Sequence, residues 1–218
     1  MPPSAPRGKA RRAYRSPRRT VQAQQTRQRI IAAATDLFAT NGYAATTIRA
    51  VAAAADVSIP SVELAFGTKA QLLKTAIDVA IAGDDAPVPV LDRDWAARAR
   101  ATDGAGEFLG AVGRVVRPAM SRSAGLVLAA FEAAPTDAEM QDLADRLATQ
   151  RATTVAWIVD GLRQRAAFRA GLTRRHAIDE VWLLMDPAVY QRLTRYRGWR
   201  PARYERWLVD SIARLLLD

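Results

Sequence analysis

Residues 46–73 read TTIRAVAAAADVSIPSVELAFGTKAQLL. Ile48, Val51, Ala52 and Ala55 recur at helical spacing, which predicts a helix from Thr46 or Thr47 to about Ala54. Ser58 then precedes Ile59-Pro60, a cap followed by a proline in the first turn, where its missing N–H costs nothing. Val57, just before the cap, is placed to staple against Val62. This helix ends at Phe66-Gly67. Thr68 and Gln71 stand at capping-box spacing and open the next, which carries Leu72, Leu73, Ala76, Ile77, Ala80 and Ile81 as far as Gly83. Two short helices across the tight turn Ala55-Asp56-Val57, flanked by longer ones, make a helix-turn-helix unit.

Upstream, Ile30, Ile31, Ala34, Leu37 and Phe38 predict a helix over about 22–41 with Gly42 as its stop. Downstream, the stretch from Gly83 to Leu91, with Asp84-Asp85, Pro87 and Pro89, reads as a linker. Further apolar periodicity predicts helices at about 106–120, 124–133 and 136–168. The last opens with a capping box from Thr136 to Glu139 and is long enough to be one extended helix or a broken pair. Thr173 caps a helix through Met185. Asp186-Pro187 then either continues it with a kink or begins a new one. A final helix over about 201–217 puts Tyr204, Trp207, Leu208, Ile212, Leu215 and Leu216 on one broad face. No stretch alternates as a strand. The fold class is therefore all-α: an N-terminal three-helix helix-turn-helix domain and a larger C-terminal helical domain. The expected division is a basic, disordered arm (1–20), the helix-turn-helix domain (21–67), a connecting helix (68–83) and a helical body (84–218).

The chain has 218 residues and a formal charge of +10 from 32 Lys and Arg against 22 Asp and Glu. Nine cations, among them Arg18 and Arg19, precede the first acid, Asp36, so the rest balances 23 cations against 22 acids. The basic character is a tail. Its arginines are candidates to follow phosphates or enter the minor groove, adding salt-dependent affinity with little sequence preference. With no cysteine there is no disulfide framework or thiolate metal site. No apolar run approaches the roughly 18 residues of a membrane helix. The single histidine, His176, lies at an Arg-rich helix start and reads as exposed or capping. Gly104-x-Gly106 followed by Gly110 has the wrong spacing for a dinucleotide fingerprint. No catalytic residue, metal site or cofactor is expected.

In a helix-turn-helix the second helix enters the major groove N-terminus first. Backbone N–H groups and the helix dipole meet phosphates, while first-turn side chains reach base edges. The helix starts at Thr46/Thr47, Ser58 and Thr68-Lys69 are three such ends.

Thr46-Thr47-Ile48-x-x-Val51-Ala52, then Val57-Ser58, Phe66 and Thr68-Lys69-x-x-Leu72-Leu73, resemble the N-terminal domain of the TetR/AcrR family of bacterial transcriptional regulators over about residues 24–75. Trp182 to Tyr190, with Arg197-Gly198-Trp199 and Tyr204-Glu205-x-Trp207-Leu208, resemble the C-terminal end of an actinobacterial branch of that family. The resemblance implies a cytoplasmic, DNA-binding, effector-responsive repressor acting as a homodimer on a palindromic operator. Its partners would be double-stranded DNA, a second copy and a largely apolar small molecule, with no membrane partner. Thr47 and Lys69 would hold phosphates, and Arg49, Ser58, Ile59, Pro60, Ser61 and Leu64 would face the groove, with Thr46 and Glu63 as further candidate DNA-binding residues. Two positions depart from the family pattern: Asp56 stands where the turn usually has Gly, and Glu63 where the recognition helix usually carries a phosphate-contacting Tyr.

The same resemblance assigns the C-terminal body to dimerisation and effector binding. Val181, Trp182, Met185, Val189, Tyr190, Leu193, Trp207, Leu208, Ser211, Ile212 and Leu215 suit an intersubunit four-helix bundle, although a monomeric core would show the same pattern. Phe108, Val112, Val116, Met120, Phe131, Trp157 and Trp182 are candidate lining for a pocket, with Arg114, Arg117 or Asp160 as polar anchors. A second reading stays open, a non-enzymatic interaction protein whose basic tail contacts nucleic acid without sequence preference.

Overall fold

The computed structural model describes residues 17–218, with side chains from Val21 onward. Most of the basic arm, residues 1–16, thus lies outside the described residues. Helix α1 runs Pro17–Ala45, so it starts earlier than expected and takes in Arg18 and Arg19. Pro17 is compatible with a first helical position because the N–H it lacks has no partner there. Gly42, at φ 75° and ψ 178°, interrupts α1 where the stop was predicted.

Three further helices follow at the expected places: α2 (Ile48–Ala54), α3 (Ile59–Phe66) and α4 (Lys69–Ala82). Thr47, Ser58 and Thr68 cap them, each accepting from the backbone N–H three residues on. Gly83 ends α4 in the left-handed conformation.

The segment after α4 is more structured than a linker. A 3-10 turn at Val90–Asp92 leads into α5 (Asp94–Arg100). The bidentate contact of Arg93 to Asp84, with bonds from Arg93 to the Ala86 and Val88 carbonyls, folds the loop back on itself. Helix α6 (Ala105–Ala133) replaces two predicted helices and contains Pro118. The proline removes the N–H that would reach the Arg114 carbonyl, yet packing on both sides of it keeps one helix.

Helix α7 (Ala138–Arg163) is a single helix. Its cap is Asp137, which accepts from the Met140 N–H, because Thr136 is taken into the preceding 3-10 turn. It ends before 168, where the Arg165 side chain donates to the carbonyls of Gly161, Thr102, Ala99 and Arg100. Then come α8 (Arg174–Leu184), capped by Thr173, and α9 (Pro187–Gln191), a new helix capped by Asp186. A π-helical turn (Arg192–Tyr196) and α10 (Pro201–Leu216) complete the chain. No helix among the described residues is long and apolar enough to cross a membrane.

Two hydrophobic cores result. The first joins α1–α4, through residues such as Ile30, Phe38, Val51, Val62, Phe66 and Leu73, to Leu126, Val127 and Ala130 of α6 and Met140, Leu143 and Leu147 of α7. The second gathers Phe108, Leu109, Val112, Val155, Ile158, Val181, Tyr204, Leu208 and Ile212. Packing thus crosses the division expected at residues 83/84. Helices in the second core approach closely at glycines: a Cβ on Gly113 would lie 2.8 Å from Val209 and one on Gly161 2.5 Å from the buried Phe108 ring. Gly161→Ala is accordingly expected to cost about 1–3 kcal/mol through overpacking, measured by urea unfolding. An unchanged midpoint would show that the Phe108 ring yields freely.

Candidate nucleic-acid interface and cleft

The short helices are held so that α3 keeps one face inside and one outside. Val62 and Phe66, four residues apart, are buried in the first core. Ser58, Pro60, Ser61, Glu63 and Leu64 are exposed, Leu64 to 92%, and Ile59 lies half-buried at the edge. The Ser58 and Ser61 hydroxyls lie 2.8 Å apart and share a proton contact in the first turn. On α2, Thr47 and Arg49 are exposed on the same side of the chain's two short helices as solvent.

Thr46 corrects the expectation. It is 1% exposed, and its hydroxyl donates to the Leu37 and Gly42 carbonyls at 3.2 and 2.8 Å. It therefore closes the broken end of α1 and has no donor to give to a phosphate. Lys69 has a comparable anchor: its ammonium donates to the Tyr43 carbonyl at 3.0 Å and sits 4.0 Å from the ring centroid of Tyr43. Two of its three N–H groups remain. Burial pushes the Tyr43 hydroxyl up to about 12, helped by the Asp137 and Glu139 carboxylates, so this ring stays neutral under the lysine.

The turn carries the one described non-glycine residue with positive φ, Asp56 at 53°. This is the position at which the resembled family has glycine, and the left-handed geometry is the reason. Asp is among the few side chains that tolerate it.

Arg27 of α1 ties the reading helices to the body. Its Nε donates to Asp85 at 2.7 Å, and its guanidinium lies 4.6 Å from the centroid of Phe66, the last residue of α3. A second tie is Arg122 of α6, which donates to the Ala80 and Ile81 carbonyls at the end of α4. Both arginines line a cleft of 1090 Å³ between the end of α4, the 84–92 loop, α6 and α7. Arg93 holds the Asp84 carboxyl down to about 2, so the loop's clasp is charged at neutral pH.

Of the expected pocket residues, Val112, Val116, Met120, Phe131 and Arg114 line this cleft. Phe108 and Trp157 do not: their rings pack together at 5.5 Å in the second core. Trp182 is covered by the Arg151 guanidinium at 3.7 Å. Arg117 is paired with Glu205, and Asp160 with Arg174. The expected dimer residues also divide. Val181, Met185, Tyr190, Leu208 and Ile212 are buried in the chain's own second core, because α8 packs on α7 and α10 on α6. They are closed to a partner. Val189, Leu193, Trp207 and Ser211 are half-buried and Leu215 is exposed. Sequence reading missed Arg27, Arg122, Arg93 and Arg151, whose partners lie far along the chain.

Residues 30–76 match the family model for bacterial regulatory proteins of the tetR family. The helix-turn-helix stretch is thus similar to that family. The tetR-like fold extends over the rest of the chain. A putative transcriptional regulator from Saccharomonospora viridis, solved in complex with choline, is 19% identical with a TM-score of 0.67, the match covering 89% of this chain and 99% of that one. FadR from Bacillus subtilis, solved in complex with stearoyl-CoA, is 17% identical with a TM-score of 0.64, covering 85% and 97%. NalD, the secondary repressor of the MexAB-OprM efflux pump in Pseudomonas aeruginosa, is 17% identical with a TM-score of 0.61, covering 89% and 98%. No curated protein sequence matches the chain.

Within the helix-turn-helix, Asp56 offers a direct test of the turn. Asp56→Gly is expected to hold or raise stability in thermal unfolding, whereas Asp56→Val loses about 1–2 kcal/mol to the left-handed conformation. A valine that costs nothing would mean that the turn does not hold this geometry in solution.

Proposed function

We propose that the chain is a cytoplasmic, effector-responsive transcriptional repressor that binds a palindromic operator as a homodimer. The observation that carries the proposal is the outward face of α3, where a Ser58–Ser61 hydroxyl pair and a fully presented Leu64 stand at the start and middle of the second helix of the helix-turn-helix, inside the stretch that matches the tetR family model. Serine hydroxyls serve base edges or phosphates, and Leu64 is an apolar partner for a thymine methyl. Thr47, whose oxygen accepts from Ala50, still has its hydroxyl proton for a phosphate. Arg49, Pro60, Lys69 and the edge residue Ile59 complete the contact surface. Glu63 replaces a phosphate contact with a carboxylate, which repels the backbone but can accept from a cytosine amine. The arm, with Arg18 and Arg19, adds the nonspecific component.

The proposed domain roles follow: residues 21–67 read DNA, 68–83 connect, and 84–218 bind effector and partner. The dimer surface is redrawn from the expected one. On α10 the stripe Trp207, Ser211 and Leu215 lies beside the buried row Tyr204, Leu208, Ile212 and Leu216, and the exposed Leu183 with Val189 and Leu193 extends it. Two copies joined there would present two reading heads, the arrangement that a palindrome requires. The cleft supplies the effector site. That two tetR-like folds hold choline and stearoyl-CoA supports a ligand role for it, and that NalD is a repressor supports the sign of regulation. A ligand that moves the 84–92 loop or the end of α4 would act on Phe66 and α4 through Arg27 and Arg122, giving the two sites a coupling free energy.

Selection from a random DNA library at fixed salt tests the reading. A palindromic motif is expected, and Glu63→Tyr should change either the affinity or the selected sequence. No enrichment would overturn the regulator reading and leave nonspecific binding. Deleting residues 1–19 should flatten the dependence of affinity on salt, since fewer counterions are released. An unchanged slope would remove the arm from the interface.

A further inference from the structure

We infer that the cleft takes an amphipathic anion, a hydrocarbon body ending in a carboxylate or phosphate, and that Arg114 holds its head. This rests on the effector reading above and narrows it to a ligand class.

The cleft is lined by two walls of different chemistry. Helices α6 and α7 contribute Arg114, Arg122 and Arg151 among its charged lining and no carboxylate. The acids all come from the opposite wall, residues 78–92, and three of the four are already neutralised: Asp78 by Lys74, Asp84 by Arg93 and Asp85 by Arg27. Only Asp92 has no cation within ion-pair distance among the described residues. Between the arginines the α6–α7 wall is mostly apolar, with Val112, Val116, Met120, Val127, Phe131 and Ile158, and neutral where it is polar, at Ser123, Gln150, Thr153 and Thr154. At 1090 Å³ the space matches or exceeds the roughly 300–1,000 Å³ of ordinary ligand sites, so an extended apolar body fits.

The three arginines differ in what they have left to give. Arg122 gives two of its five N–H donors to the Ala80 and Ile81 carbonyls, which fixes its guanidinium at the end of α4. Arg151 is paired with Asp186 at 2.6 Å and stacked on Trp182, which holds its charge in place although its buried Nε has no partner. Arg114 has no ion pair and no hydrogen bond among the described residues, and it is exposed. An anionic head placed there keeps contact with water and meets a planar fork of N–H donors, while the chain runs inward along the valines. Burying the head deeper would add a desolvation cost, and the arginines there, Arg122 and Arg151, are already fixed on protein groups. A quaternary ammonium is the wrong charge for this wall: it prefers aromatic faces, and the cleft offers only Trp95 and Phe131, with its acids mostly spent.

The test titrates the full chain calorimetrically with dodecanoate and dodecyl phosphate, below micelle formation, against dodecanol and dodecyltrimethylammonium. Release of the selected operator is read in parallel. At least one anion should bind about tenfold tighter than the alcohol or the cation, the scale of one charged hydrogen-bond pair, and the better head tells carboxylate from phosphate. Arg114→Gln should remove about that factor for the anion, Arg114→Lys should retain part of it, and dodecanol should be unaffected by either. Equal or tighter binding of the alcohol or the cation overturns the inference. So does an anion indifferent to Arg114→Gln, or no binding by any probe. An anion that binds through Arg114 but leaves the operator complex intact upholds the ligand and refutes the effector reading. Operator release by the alcohol alone does the reverse.

Discussion

Helix α6 belongs to both hydrophobic cores, and the rest of the arrangement depends on that. Its C-terminal part gives Leu126, Val127 and Ala130 to the core of the reading head, while Phe108, Leu109, Val112 and Val116 anchor the second core. A helix is stiff along its axis because each turn is bonded to the next. A displacement of its middle, where Arg114, Pro118 and Arg122 face the cleft, therefore cannot be absorbed in one core alone. Pro118 sits at the point where that ladder lacks one bond, so the helix is weakest where a ligand would touch it.

Around this spine, cations do the joining. Arg122 ends α4, Arg27 bridges α3 and the 84–92 loop, Lys69 closes the end of α1, and Arg165 seals α5 and α7. Each pairs a long flexible arm with backbone carbonyls, an aromatic face or an acid, which ties elements without a large apolar contact. Contacts of this kind are weak singly and are exchanged for water or ligand at modest cost. The apolar cores hold each body rigid, while the arginine ties between head and cleft are the contacts that a bound molecule can remake.

The local grammar of the chain was legible and its long-range partners were not. Ser58, Thr68 and Thr173 announced their helices because capping is decided within three residues. The turn at Ala55-Asp56-Val57 was legible, but that Asp56 takes the left-handed conformation there is seen only in the fold. Thr46 looked like a DNA contact because it stands at a helix start beside Thr47, and only the fold shows the Leu37 and Gly42 carbonyls that its hydroxyl meets. The apolar periodicity reads as two helices, about 106–120 and 124–133, where packing from both sides holds one that runs through Pro118. The pocket and dimer candidates divided for a common reason. Periodicity says which residues share a stripe, but not whether it faces the chain's own core, a cavity or a second copy. Phe108, Val181 and Leu208 turned inward, Val116 and Met120 reached the cleft, and Leu215 stayed outside.

The charge of the chain then takes a different meaning. Outside the arm the body is nearly neutral, and many of its arginines already hold carbonyls, carboxylates or rings. They are structural cations with little left for phosphate. Sequence preference in a proposed operator complex must then come from Ser58, Ser61, Glu63 and Leu64, a surface with no cation of its own. Such a surface discriminates by shape, hydroxyl contacts and one carboxylate, and it needs charge supplied from elsewhere to bind tightly. Arg49, Lys69 and the arm flank it on the chain and can provide that charge. Affinity and choice of site would thus reside on separate parts of the molecule, so a change in salt would weaken the first while leaving the second largely intact.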